Sequence, residues 1–384
     1  MPIYHQLGKL PQKKHIVYES PSGGMYWEEL YSTLGFSGIY STLYHVNPPT
    51  RYREIKEINH RLIEPWADAP VQPYHFFTNR VEHGGDIVSG RRCFMYNDDV
   101  TLSTASFTEL DDRFYRNSQA DEILFVHRGE GELHSPYGVL TFTQGDYLVV
   151  PRGVMIRLEH VSADNRFFII ESFSPIETPK RFRNEFGQLL EHAPYCERDI
   201  KRPAFREPIV NKDPQRLVIK RRNLFYEYEL DHHPFDVVGW DGYLYPWAFN
   251  IHEYIPSVAK IHLPPPVHQV FQSAGFVVCN FVPRLFDWHP QAIPAPYFHQ
   301  NVDSDEVLYY VEGDFMSRKG IEMGSITLHP GDVPHGPQPG KIEASIGKKE
   351  VYEYAVMVDT FKPLLMTQQV PPVMDRAYHK SWLP

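Results

Sequence analysis

The chain has 384 residues, a net charge of −10 and a pI of about 6.0, with no basic block or stripe, so nucleic acid is not an expected partner. Its length suits two lobes or one large β-rich fold, and 42% hydrophobic and 14% aromatic residues supply ample area for a core. Three widely spaced cysteines (Cys93, Cys196, Cys279) form no CxxC pair or disulfide framework. No apolar run is long enough to span a membrane, and MPIYHQLGKLPQKKH at the start lacks the apolar stretch of a signal peptide. A reducing cytoplasm is therefore expected.

Proline is abundant, at 34 residues, beside 24 tyrosines and 24 phenylalanines. Proline punctuates strands and aromatics fill sheet faces, so the fold should be dominated by β-structure. The first hundred residues offer short strand candidates and proline turns but no motif. Residues 114–129 read FYRNSQADEILFVHRG, and residues 141–153 read TFTQGDYLVVPRG. The segment ETPKRFRNEFGQLLEHAPY (177–195) breaks the strand pattern. It places Phe182, Phe186, Leu189 and Leu190 at helical spacing and predicts a connecting helix. A lobe boundary is expected near residue 205, in ERDIKRPAFREP, giving lobes over 1–205 and 206–384. His232 and His233, in DHH, read as a solvated loop. His262, in KIHLPPPVHQVF, precedes three prolines that stiffen the backbone; it is either an ordinary loop histidine or an acid–base group.

Residues 298–313, FHQNVDSDEVLYYVEG, echo 114–129 at a distance of 184 residues. TLHPGDVPHG (327–336) then echoes 141–153, each with Gly-Asp followed by Pro. Two segments agreeing in the same order imply two copies of one β-unit. Each copy resembles the cupin pattern, and cupins are small antiparallel jelly-roll barrels. The copies differ in their chemistry. Tyr115 stands where the second copy has His299, and Arg152 where it has His335, while Glu122 and Glu306 correspond. A glutamate opening a strand is ordinarily solvated, and a lone histidine is more often a packing group than a ligand. Two histidines and a glutamate at repeat-matched places instead suit a facial triad, which leaves open positions on Fe(II) for substrate and O2. Residues 306, 308 and 310 should share one strand face. His299 precedes Glu306 by seven residues and His335 follows it by 29, so the ligands would reach one barrel mouth from separate strands. His329, in LHPGD, is a neighbouring donor, a competing ligand or a turn residue. P-loop, GxGxxG, GxSxG and HExxH motifs are absent.

Over roughly 235–384 the sequence resembles the homogentisate 1,2-dioxygenase family. The likeness is carried by VVGWDGYLYPWAFNI (237–251), IHLPPP, PYFHQN, the Asp-Glu strand, LHPGDVPHGP and RAYHKSW (376–382). It implies an all-β, two-lobed, cupin-like fold with an inactive N-terminal lobe and a metal-bearing C-terminal lobe. The activity implied is O2-dependent opening of a hydroquinone ring, with homogentisate as the default substrate, no nucleic-acid or membrane partner, and a trimeric or hexameric homo-oligomer. It assigns Fe(II) to His299, Glu306 and His335, a catalytic role to His262, and substrate contacts to Tyr297, Phe315 and His335. Departures from the family pattern are Gln300 in place of an arginine, one extra residue between His299 and Glu306, and Glu312-Gly-Asp-Phe315 in place of Arg-Gly-x-Tyr. The loss of a hydroxyl at Phe315 and of a cation at Glu312 would weaken a carboxylate grip and favour a neutral hydroquinone, unless Arg284 or Arg318 supplies the donor. A cupin that binds a ligand without catalysis, its metal closed off by His329, is the rival reading.

Overall fold

In the computed structural model, which describes residues 3–383 apart from His83 and Met316, strands and their turns account for nearly all regular structure. The longest helix among the described residues is the five-residue Lys341–Ser345, and no helix is long and apolar enough to cross a membrane.

The first copy of the repeat folds as a complete jelly roll. Val100–Ala105, Arg166–Ser172, Asp121–Arg128 and Asp146–Val150 pair side by side in that order. Phe114–Asn117, Met155–Glu159, Gly131–Ser135 and Gly138–Phe142 form the facing sheet. This alternation of consecutive strands between two sheets is the jelly-roll connection. The second copy repeats the first sheet: Phe276–Phe281, Glu353–Thr360, Asp305–Gly313 and Ile326–His329 pair in the same order. Its facing sheet shrinks to Arg284–Leu285 paired with Glu350–Val351 and a bridge between His299 and His335. A cavity of about 420 Å³ lies on that side of the second unit, lined by residues from both parts.

Strand alternation decides which side chains reach the cavity. Val307, Tyr309 and Val311 enter the core, whereas Glu306, Leu308 and Tyr310 line the cavity, as the sequence alternation requires. Ala355, Met357 and Asp359 line it from the neighbouring strand, while Val356 and Val358 are core residues. The two units share one hydrophobic core. Phe168 stacks on Tyr309 with ring centroids 4.6 Å apart. The Tyr309 hydroxyl meets His127 Nδ1 at 2.5 Å and accepts from Arg166 Nε at 3.1 Å. Burial, then Arg166 and Arg128, lowers the His127 pKa to about 3, so this buried imidazole is neutral and accepts the tyrosine proton.

Strands on both sides of residue 205 share sheets. Tyr74–Phe76 pairs with Ile326–His329 of the second unit. Trp247–Asn250 and Leu365–Met366 pair into the sheet of the first.

Two local expectations fail. No helix forms over 177–195 beyond one 3-10 turn, Lys180–Phe182. Asn184 accepts from the amides of Phe186 and Gln188, both at 3.0 Å, and Gly187 adopts φ +81°, so the chain reverses and Arg183 bridges Leu189. Phe182 and Leu189 are buried, whereas Phe186 is 86% exposed. His232 and His233 are buried rather than solvated: His232 bonds the Asp231 carboxylate, and His233 Nδ1 accepts from the Phe235 amide at 3.1 Å.

Candidate metal centre

Glu306 sits at the mouth end of its strand because the preceding residue anchors the turns around it. Asp305 accepts from the amides of Gly331 and Leu364, both at 2.7 Å, tying the Gly-Asp turn and the chain after Thr360 to the strand start. His299 and His335 are brought together by backbone pairing: each amide donates to the other's carbonyl, at 2.8 and 2.9 Å. Gly336 permits this approach, since a Cβ there would stand 2.6 Å from the Phe298 ring and 2.9 Å from its Cα. Gln300 donates to Asp332 at 2.6 Å and clamps the same pair of segments.

The hydrogen bonds assign the imidazole tautomers. His335 Nδ1 lies 2.9 Å from Val333 O, and His299 Nδ1 lies 3.2 Å from Tyr297 O. A carbonyl only accepts, so both Nδ1 atoms carry the proton and both Nε2 atoms are left with a lone pair. These Nε2 atoms face Glu306, His299 at 3.4 Å from Oε2 and His335 at 3.6 Å from Oε1. His335 Nε2 is buried without any hydrogen-bond partner. One ligand atom from each of the three residues falls within 4.8 Å of the others. Two lone pairs and a carboxylate converging in this way repel one another unless a proton or a metal cation lies between them. Burial opposes the charge on Glu306, but contacts from His299, His329 and His335 outweigh it and hold the carboxyl well below its usual range. The Glu306 contact raises His299 against the effect of burial, so a proton competes with a cation at its Nε2. The residues therefore fit a divalent ion: a 2-His-1-carboxylate set with positions left open.

His329 is not a fourth member of this set. Arg318 Nη2 stands 3.4 Å from His329 Nε2, and an arginine can only donate. His329 Nε2 therefore accepts, and its Nδ1 proton goes to Glu306 Oε1 at 3.0 Å. Burial and then Arg318 lower His329 to about 4, consistent with a neutral ring. Of the roles open to His329 in the sequence, orienting the glutamate is the one its contacts support.

Of the residues assigned to substrate or proton transfer in the sequence, His262, Tyr297 and Phe315 line the cavity, whereas His335 is not among its lining residues. His262 is exposed, with its ring 4.9 Å from that of Tyr297, which lies in turn 6.0 Å from His299. Phe315 packs on Tyr310 at 4.7 Å and lines the cavity. Glu312 does not line it; it accepts from the Tyr352 hydroxyl at 2.9 Å on an exposed edge, so it places no anion against a ligand.

Three lining residues were not singled out as site residues in the sequence. Asp359, beside Glu306 across the sheet, has Oδ1 buried without a partner, and burial followed by the Glu306 charge raises it to about 8. The sequence did hold a signal for it, because VMVDTF (356–361) echoes FIIESF (168–173) and sets Asp359 opposite Glu171 in the repeat. His268 is buried with Nδ1 unpartnered, and burial, Arg284 and His262 lower it to about 3. Arg318, named only as a spare donor, is nearly fully buried beside the triad.

A family model described as "Homogentisate 1,2-dioxygenase N-terminal" matches residues 40–251. A protein from Saccharolobus solfataricus named as a candidate dioxygenase is 43% identical over 385 residues, spanning 100% of this chain and 99% of that one. Homogentisate 1,2-dioxygenases from Legionella pneumophila and Nitrobacter hamburgensis are 26% and 28% identical over 59% and 67% of this chain. Those two matches span 56% of each relative's own length. Among solved structures, a DUF861 family protein from E. coli overlaps 77% of this chain and 94% of its own, at 10% identity and a TM-score of 0.37. The strand order described above, rather than that overlap, defines the fold as cupin-like.

Proposed function

The chain belongs to the homogentisate 1,2-dioxygenase family, and from that premise we infer that it is an Fe(II)-dependent dioxygenase opening a hydroquinone-type ring, with homogentisate as the first substrate to test. The observation that carries this reading is the pair of imidazole Nε2 atoms, each with its Nδ1 proton given to a carbonyl, facing Glu306, which lines the cavity together with His299. His299, Glu306 and His335 would hold the iron. Bound there, Fe(II) supplies a centre at which an aromatic oxygen and O2 meet and exchange electrons.

The chain's own residues would do the rest. Arg318 and Tyr378 fix the His329 ring from one side, so that its Nδ1 proton holds Glu306 Oε1 and orients the carboxylate toward His299 and His335. Tyr297 and Phe315 offer aromatic faces to a ring in the cavity. His262, at the same cavity, would accept the proton of a ring hydroxyl, a task suited to an imidazole near neutral pH. Leu308, Met357 and Ala355 give the floor an apolar lining that excludes water. The first unit, with no matching histidines, would serve as scaffold.

The test is oxygen uptake by anaerobically Fe(II)-loaded protein, with homogentisate, gentisate and methylhydroquinone offered separately. Uptake with at least one of them is expected. One tightly held iron per chain and no uptake with any would instead favour a ligand-binding protein.

A further inference from the structure

Among the described residues, His268 differs from every other buried histidine in having no hydrogen bond at either ring nitrogen. His45, His127 and His329 meet Asp236, Tyr309 and Glu306, and even His335, which keeps one nitrogen free, gives the other to Val333 O. His268 is 8% exposed and lines the cavity. Buried polar groups are normally satisfied within a fold, so an imidazole left open on a cavity points to a partner outside the chain.

The backbone fixes where this ring stands. Three prolines, 264 to 266, stiffen the approach, and the Gln269 amide donates to Pro266 O to close the turn Pro265–His268. Gln269–Gln272 then pairs beside Phe276–Phe281, and the His268 ring packs on that of Phe281 with centroids 5.1 Å apart. Phe281 faces Ala355, which faces Tyr310 on the strand that carries Glu306. Two strand spacings, about 10 Å, therefore separate the Phe281 strand from the Glu306 strand. His268 stands across the cavity floor from the metal ligands, with Leu308, Met357 and Ala355 lining the same cavity.

Its two nitrogens are not equivalent. Nδ1 is buried without a partner, whereas Nε2, also unpartnered, is not buried and opens on the cavity. Burial, then Arg284 and His262, keep the ring neutral, so only one nitrogen carries a proton. An orphaned buried N–H is rarer and costlier than an orphaned lone pair, so the proton sits on Nε2 and the cavity receives an N–H donor.

We propose that His268 determines specificity by donating its Nε2–H to the ring hydroxyl at the end of the substrate away from the metal, so that the cavity selects a ring with two opposed hydroxyls over a ring with one. This deepens the hydroquinone reading and rests on it. In a hydroquinone the two hydroxyls stand at opposite ends of the ring, one for the metal and one for His268. A ring with hydrogen or methyl at the far end would leave the N–H unpaired above an apolar floor.

The test is anaerobic titration calorimetry of the Fe(II)-loaded protein with hydroquinone and, separately, phenol, in the wild type, His268→Phe and His268→Gln, with iron content measured for each. The wild type should bind hydroquinone at least about tenfold more tightly than phenol. His268→Phe keeps an aromatic ring against Phe281 and should weaken hydroquinone by about tenfold while leaving phenol unchanged. His268→Gln, which returns an N–H near the place of Nε2, should restore part of that loss. Equal affinity for the two compounds in the wild type overturns the proposal without needing any variant. So does a His268→Phe protein that keeps the full margin, weakens both ligands by the same factor or loses its iron, any of which would leave His268 as a packing residue. Oxygen uptake with a hydroquinone and no His268-dependent margin would keep the dioxygenase and remove this inference. A His268-dependent margin without any uptake would do the reverse.

Discussion

In the first unit Glu122 lies across the sheet from Glu171, and in the second Glu306 lies across from Asp359. The first pair is neutralised by the chain itself. Arg91 bonds Glu122 at 2.6 Å and Glu171 at 2.8 Å, Lys220 bonds Glu171 at 2.6 Å, and Tyr115 and Asn117 donate to Glu122 at 2.9 and 3.1 Å. Arg152, at the place of His335, turns outward to Asp121 and Phe173 O. The second pair has no arginine or lysine in ion-pair range among the described residues; imidazoles with free lone pairs surround it, and one acid is driven toward its neutral form. The same barrel position thus either carries fixed cations and closes, or omits them and keeps a place for an exchangeable one. The aspartate of each Asp-Glu pair does the same work in both units: Asp121 binds the amides of Arg152 and Ile176 just as Asp305 binds those of Gly331 and Leu364. The aspartate belongs to the fold and the glutamate to the site.

The comparison breaks most severely if the triad is altered. Glu306→Gln or His335→Ala should abolish iron retention through desalting while leaving the thermal midpoint of the apo-protein nearly unchanged, as read by metal analysis and calorimetry. Equivalent changes at Glu122 should leave iron retention intact. His262→Ala should retain iron and lose about 10²–10⁴-fold in turnover, the usual worth of an acid–base group; full activity would remove it from the mechanism. Arg91→Met leaves buried Glu122 without a cation and Glu171 with Lys220 alone, and should destabilise the fold by about 3–5 kcal/mol in denaturant titrations, again without changing iron stoichiometry. His329→Phe frees Glu306 Oε1 and should weaken iron binding by about 10–100-fold.

The smallest effect is a pH dependence. Burial opposes the charge on Glu171, but Lys220 and Arg91 outweigh it and lower its pKa below 4.5. A lowered folded value means that Glu171 stabilises the fold fully above about pH 4.5 and that this share is lost as pH falls through the lowered value. Lys220→Met should flatten that part of the acid-unfolding curve, and an unchanged curve would show that the first unit is not held by its ion network.

Much of this contrast was legible in the repeat, because matching segments place matching strands, and the exchange of Tyr115 for His299 shows where the chemistry differs. The alternation of 306, 308 and 310 predicted the cavity face for the same reason. The carboxylates of Glu171 and Asp359 were harder to see, since they come from a third echo far along the chain and each reads alone as a strand acid. Arg91 and Lys220 reach the first centre from strands outside the repeated segments. The segment 177–195 carried helical spacing, but Asn184 and Gly187 reverse the chain, and local side-chain bonds to the backbone override periodicity. The contribution of Tyr74–Phe76 to the distant second sheet could not be read from a three-residue strand that follows two prolines.

The most direct measurement is iron stoichiometry after anaerobic Fe(II) loading and desalting, for the wild type and for a His299→Ala/His335→Ala double variant. The account predicts one iron per chain in the first and none in the second. Iron retained by the double variant, or none retained by the wild type, would contradict it.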